Sequence, residues 1–298
     1  MEIFLFSRAE KQHQVDELKH LFEMLLKFNF AFSLNREFAV LVSEMIGMSF
    51  SRAQIYDSLA SCDFGADDIV LSYGGDGTFL QGVSMLEGKS TPILGINSGR
   101  LGFLANIPQK NIEQAFEDLI KGRFSIEQRD MLQVSGAFSS GQLSDLYAFN
   151  EFSVQRAGAG MIAVEAFINN EMIAKYWGDG VLLSTPSGST AYSLSVGGPI
   201  VAPECDCFVL SPIAPHNLTM RPVVLPNSAE VVFKVSSRDK KIFASIDNST
   251  FEMSSESEFL IKKSQKSIFI VVMQNISFYD TLRNKMMWGL DKRDELAN

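Results

Sequence analysis

The chain is poor in cysteine and histidine, with three of each among 298 residues. Cys62, Cys205 and Cys207 are too few for the disulfide framework of a secreted protein, so a reducing cytosol is the simpler compartment. Cys205 and Cys207 stand one residue apart, a poor spacing for a metal hook. His13, His20 and His216 are scattered, so no set of four ligands forms and no protein-held metal is expected. Long apolar runs are missing too. The most apolar stretch, 21–34, is broken by Glu23, Lys27 and Asn29, whereas a spanning helix needs ~20 apolar residues. Arg8 and Glu10 interrupt the N-terminal apolar run too early for a signal peptide, and a soluble cytoplasmic protein with no membrane partner is expected. Basic residues are in deficit, 26 against 35 acidic, for a net charge of −9. Such a surface repels phosphate backbones, which argues against nucleic acid as a partner but leaves room for a local basic pocket. Apolar residues make up 46% of the chain, too many for disorder, and the length suffices for two ordinary domains.

Two kinds of pattern follow one another. Residues 3–6 read as a short buried strand, and Val15, Leu18, Leu21, Phe22, Leu25 and Leu26 recur at helical spacing over 13–28. A second strand over 68–72 runs into Tyr73-Gly74-Gly75-Asp76-Gly77-Thr78, then a helix over 79–86 and a strand over 92–96. A further helix spans 111–121, with Gly122 as its stop. Strand, loop, helix, strand is the parallel α/β pattern, in which ligands sit at the carboxyl ends of strands. After about Phe124 come short Val/Ile/Phe/Ser runs, among them 162–169, 231–236, 241–246 and 267–273, which argue for antiparallel β structure. The tail from Tyr279, with Leu282, Met286, Met287 and Leu290, reads as helical again. The expected fold is a doubly wound parallel α/β domain over 1–125 and an antiparallel β-rich domain over 126–276. The tail, 277–298, is expected to pack back on the first.

The glycine-rich turn is the first candidate for chemistry. Gly74, Gly75 and Gly77 let the backbone bend sharply and bring N–H groups toward an anion. A helix starting at about Thr78 would add its positive N-terminus, so a phosphate is the natural guest. Asp76 opposes such a guest unless it does chemistry or organises a metal, and a lone Asp among glycines has no evident packing role. The loop lacks the Gly-Lys-Ser/Thr ending of a P-loop and the spacing of a dinucleotide fingerprint. It resembles instead the Gly-Gly-Asp-Gly loop shared by NAD kinases, 6-phosphofructokinases and diacylglycerol kinases, which suggests phosphoryl transfer to a hydroxyl.

The second candidate runs from Gly178 to Pro199, a glycine-punctuated stretch crowded with hydroxyls and carrying Tyr192. Hydroxyls and free amides suit the edge of a base or an amide, and an aromatic ring offers a stacking face. This stretch resembles the signature of bacterial NAD kinases, and other blocks of that family occur in the expected order. They are Asn97-Ser98-Gly99-Arg100-Leu101-Gly102-Phe103-Leu104, Asn150-Glu151, 215–222 and Asp247.

The resemblance implies phosphorylation of the 2′-hydroxyl on the adenosine ribose of NAD, with ATP as donor and a divalent cation, Mg²⁺ above all, carried with it. Asp76 would be the general base, and Gly74, Gly75, Gly77 and Thr78 would form the phosphate loop. Asn150, Glu151 and Thr190 would hold the adenosine half of NAD. Asp179, Ala191, Tyr192 and Ser195 would hold the other end, with Ser193, Leu194 and Asp247 completing the site. A homodimer or homotetramer is also implied. Two positions depart from the family pattern. Trp177 stands where a basic residue is common two places before Asp179, with Lys175 as a possible substitute, and Asn248 replaces a glycine after Asp247 while still tolerating a left-handed backbone. A lipid or sugar kinase using the same loop and a non-catalytic NAD(P)-binding sensor are the competing readings. Polyphosphate as an alternative donor stays open.

Overall fold

The structure, a computed structural model, describes residues 1–9, 13–99, 101–139 and 142–289. Glu10, Arg100 and Leu290 lie outside the described residues. The chain divides into two compact units, Met1–Gln128 with Ile268–Asn298, and Arg129–Ser267.

The first unit opens with β1 (Glu2–Phe6), α1 (Val15–Lys27), β2 (Ala31–Asn35), α2 (Arg36–Ile46) and β3 (Ile55–Tyr56). It continues with β4 (Ile69–Tyr73), α3 (Asp76–Leu86), β5 (Ile93–Asn97), β6 (Ile107–Pro108) and α4 (Ile112–Ile120). The strands pair in the order β5-β4-β1-β2-β3, all parallel, with β6 on β5. Alternation along each strand serves two cores. Ile3 and Leu5 of β1 face a cluster built from Leu18, Leu21, Phe22 and Leu25 of α1, Phe38 and Val42 of α2, and Phe116 of α4. Phe6 turns to the other side, where it meets α3 at Gly82 together with Ile93. Helices on both faces of an all-parallel sheet make this a doubly wound unit, as expected. Neither β2 nor α2 stands out in the sequence, because the strand runs into the helix with no polar turn, Asn35 serving as N-cap. The chain leaves β1 for β2 on one side and returns to β4 on the other, so β1 and β4 flank the topological switch point.

The second unit is antiparallel. It takes in most of β7 (Phe124–Ser139), then β8 (Gln142–Ala148), β9 (Glu151–Arg156), β10 (Ile162–Ile168), β11 (Glu171–Gly178) and β12 (Gly180–Ser184). There follow the one-turn α5 (Tyr192–Ser195), β13 (Cys207–Ile213), β14 (Val223–Pro226), β15 (Val231–Ile246) and most of β16 (Ser249–Met273). The order β14-β13-β12-β9-β15-β16 carries a core around Phe152, Phe208, Phe233 and Phe259. The runs 231–236 and 241–246 are one strand, because the polar insert between them is absorbed as a shift in register between Ser236 and Lys241. The end of β16, from Ile268, belongs to the first unit, where Ile270 pairs parallel with Ile93. There α6 (Phe278–Met286) follows, and Met287 lies beyond its end in a left-handed cap. Among the described residues no helix is long and apolar enough to cross a membrane.

Phe116 is fully buried, with ring centres of Phe30 and Phe28 at 5.2 and 6.2 Å. Phe116→Ala should lower stability by about 3–5 kcal/mol, the usual cost of an emptied aromatic site. A denaturant titration checks this through the unfolding midpoint.

Candidate active site

In the first unit the glycine loop leaves the carboxyl end of β4 at the switch point, the position where open α/β sheets bind ligands. Gly75 caps α3, which starts at Asp76 rather than at Thr78. Thr78 is buried, and its Oγ1 would lie 2.5 Å from a Cβ on Gly74, so the two residues fold the loop onto itself. From the end of β1, Arg8 donates from Nη2 to the Gly77 carbonyl at 3.0 Å and from Nε to Gln81 Oε1 at 2.7 Å.

Asp76 has the structural role that its sequence context hides. Its Oδ1 accepts the backbone N–H groups of Leu104 and Ala105, each at 3.0 Å, and its Oδ2 accepts that of Phe103 at 2.9 Å. Three successive amides turned on one carboxylate hold the loop after β5 in place. A Cβ at Gly102 would fall 1.9 Å from Asp76 Oδ1, so only glycine lets the loop come this close. Asn97 Oδ1 accepts the Gly99 N–H at 2.7 Å and closes the same loop. The expectation that Asp76 lacks a packing role is therefore corrected, because its partners lie 27 to 29 residues away.

The second unit repeats the device. Asp247, in the turn between β15 and β16, accepts the N–H groups of Phe149, Asn150 and Glu151 at 2.8, 2.7 and 3.1 Å. It does so from a left-handed backbone, φ +47°, so the residue needing that conformation is Asp247 itself and not Asn248. The turn after β12 clamps the same segment. Thr185 Oγ1 donates to the Phe149 carbonyl at 2.6 Å and accepts the Gly188 N–H at 3.1 Å. A Cβ at Gly188 would sit 2.1 Å from the Asn150 carbonyl oxygen.

This clamp gathers Asn150, Glu151, Tyr192 and Asp247 in one place. Asn150 Oδ1 and Glu151 Oε2 are buried without a hydrogen-bond partner among the described residues. Burial, and then the charge of Asp247, push the Glu151 carboxyl up to about 8, against the pull of the Tyr192 backbone amide. Burial also raises Asp247, to about 6, and its three amide donors oppose the shift. Tyr192 opens α5 and directs its hydroxyl to Gln155 Oε1 at 3.3 Å. Asp179 pairs with Arg156, Nε to Oδ1 at 2.6 Å, so the basic partner missing at position 177 comes from β9. Lys175 does not substitute; it pairs with Glu165 at 2.9 Å and lies over the Trp177 ring.

The other candidates build the turn more than they line it. Thr190 Oγ1 donates to the Ser187 carbonyl at 3.3 Å, the Ala191 N–H to the Gly188 carbonyl at 2.9 Å, and the Leu194 N–H to the Ala191 carbonyl at 3.2 Å. Ser193 is buried against Gly198, and Ser195 is exposed. Sequence reasoning missed Arg8 and Arg156, whose importance lies in partners far along the chain and has no local signal. Among the described residues no cluster of three or more His, Cys, Asp or Glu could hold a metal ion.

The upward shift of Glu151 carries a sign. Its folded value exceeds the ordinary 4.5, so the folded state holds the proton more tightly than the unfolded chain. The cost of burying the charge is absent below about pH 4.5, grows as pH rises, and is complete above about pH 8. Raising pH from 5 to 9 should therefore destabilise the natural protein more than Glu151→Gln. The difference should be on the order of 1–2 kcal/mol after allowance for partial solvent access. Melting curves of both proteins across that range measure it.

Two family models match the chain: the ATP-NAD kinase N-terminal domain over residues 4–124 and the ATP-NAD kinase C-terminal domain over residues 149–273. An NAD kinase of Flavobacterium psychrophilum is 37% identical over 296 residues, covering 99% of this chain and all of that one. An NAD kinase of Cytophaga hutchinsonii is 36% identical over 293 residues, covering 97% and 99%. Among solved structures, yeast NADH kinase complexed with NADH superposes with a TM-score of 0.82 at 21% identity, covering 98% of this chain and 88% of that one. An NAD kinase from Archaeoglobus fulgidus in complex with ATP superposes with a TM-score of 0.72 at 24% identity, covering 96% and 99%. These two likenesses show a shared fold.

Proposed function

The chain belongs to the NAD kinase family, and from that membership and the two clusters we infer a phosphotransferase reaction that makes NADP from NAD and ATP. The observation that carries the mechanism is the anchoring of Asp76. Its Oδ1 is taken up by two backbone amides, while Oδ2 has one amide and a lysine contact at the surface. In this reading Oδ2 takes the proton of the 2′-hydroxyl on the adenosine ribose. The ribose oxygen forms a bond to the γ-phosphorus as the bond from that phosphorus to the β,γ-bridging oxygen breaks. ADP leaves with the electron pair. A carboxylate is a weak base toward an alcohol, so its benefit is placement. The Gly74–Thr78 turn and the N-terminus of α3 supply positive dipole ends for the phosphates.

A divalent cation, Mg²⁺ in our reading, accompanies ATP. Its chemistry is to offset charge on the transferring group. Asn150 Oδ1 and Glu151 Oε2, buried and unpartnered, suit the hydroxyl and amino donors of the adenosine half of NAD, next to Thr190. Tyr192, Ala191 and Ser195, with Asp179 held by Arg156, would take the other end. Asp247 acts by fixing the backbone of Asn150 and Glu151. The same reading includes a cytoplasmic homodimer or homotetramer, which sedimentation can test.

Incubation with NAD, ATP and Mg²⁺ should yield NADP, and no NADP with either ATP or polyphosphate as donor would defeat the assignment. Asp76→Asn should cut turnover by roughly 10²–10⁴-fold, the usual contribution of a positioned acid or base. It should also lower the melting temperature, because one amide N–H₂ would then face a backbone N–H of residues 103–105. Unchanged turnover would deny Asp76 the role of base.

A further inference from the structure

Asp76 has a partner that nothing near the glycine loop supplies. Lys285, 209 residues away on α6, places Nζ 3.3 Å from Asp76 Oδ2 and 4.5 Å from the centre of the Phe103 ring. The helix is built to deliver it. Ser277 caps the first turn, its Oγ accepting the Asp280 N–H at 3.0 Å while Asp280 Oδ2 accepts the Ser277 N–H at 3.0 Å. The Phe278 ring lies 6.3 Å from that of Phe103, and Thr281 and Leu282 are buried. The packing of this helix brings Lys285 within reach of the carboxylate.

A carboxylate offers about four acceptor positions. Backbone fills three of those on Asp76: Leu104 and Ala105 on Oδ1, Phe103 on Oδ2. Gly102 walls off the Oδ1 side. The position left is the one where Lys285 stands, and it is reachable, since the two side chains are 33% and 30% exposed. An ion pair this exposed releases readily. A hydroxyl that is to give its proton to Oδ2 must come where the ammonium now sits.

We propose that Lys285 is a positioning residue of the phosphoryl-transfer reaction: it holds Asp76 Oδ2 toward the acceptor site and yields that position to the incoming hydroxyl. This rests on the NAD kinase reading above. No bond to Lys285 forms or breaks, and the hydroxyl proton still goes to Asp76. The role also gives the C-terminal helix a part in catalysis that its sequence does not advertise.

The test uses the full chain and three proteins: the natural one, Lys285→Met and Lys285→Arg. NADP formation is followed with NAD and ATP varied in turn, beside thermal melts. Loss of the contact that orients the base should lower kcat of the Met variant by about 10–100-fold and leave the KM for NAD within about threefold. Arg should recover most of the lost kcat, and both melting temperatures should stay within about 2 °C of the natural value, as for a surface substitution. A Met variant with natural kcat overturns the proposal, and so does one with raised KM and unchanged kcat. Equal losses in Met and Arg with a clear drop in melting temperature overturn it in favour of a purely structural contact. If the natural protein makes no NADP, the NAD kinase reading fails first and takes the proposal with it. The three-protein comparison therefore separates the two failures.

Discussion

In each of the two units, one carboxylate takes three consecutive backbone N–H groups and holds a loop in place. Asp76 does this to residues 103–105 and Asp247 to residues 149–151. Hydrogen bonds to an ionised acceptor are stronger than neutral ones, and three on one group leave a loop little freedom. The placement of residues 103–105, and of Asn150 and Glu151, which are proposed to meet substrate, depends on an aspartate elsewhere in the chain. An acidic side chain in a loop proposed to hold phosphate stops being a paradox once three backbone amides are seen to converge on it.

Close approach of this kind dictates glycine. At Gly102 a side chain would collide with the Asp76 carboxylate, and at Gly188 it would collide with the Asn150 carbonyl. Both glycines lie beside the anchored loops. They are required by what presses against them.

The second unit carries a cost along with its geometry. Burial and the nearby Asp247 charge push the Glu151 carboxyl up, to about 8, while burial alone raises Asp247. A desolvated carboxyl with a buried, unpartnered oxygen is poor for stability and suits the polar-ligand contact proposed for it. Arg156 on Asp179 shows the opposite solution, a charge neutralised across neighbouring strands.

What the sequence determined by itself was whatever is written in short-range pattern. The period of α1, the apolar runs of β1, β4 and β5, the change to short β runs after about residue 124, and the glycine-rich blocks were all legible there. Each reports local backbone preference or one buried face, which neighbours in the chain suffice to specify. Junctions without punctuation were not legible, as where β2 runs into α2, nor was a polar insert that a long strand absorbs, as in β15. Only the tertiary structure decided the pairings: Asp76 with residues 103–105, Arg156 with Asp179, Asp247 with residues 149–151, and Lys285 with Asp76. These partners stand 23 to 209 residues apart. Parallel crossovers and strand order bring them together, and no local periodicity records which distant residue a charged side chain will meet.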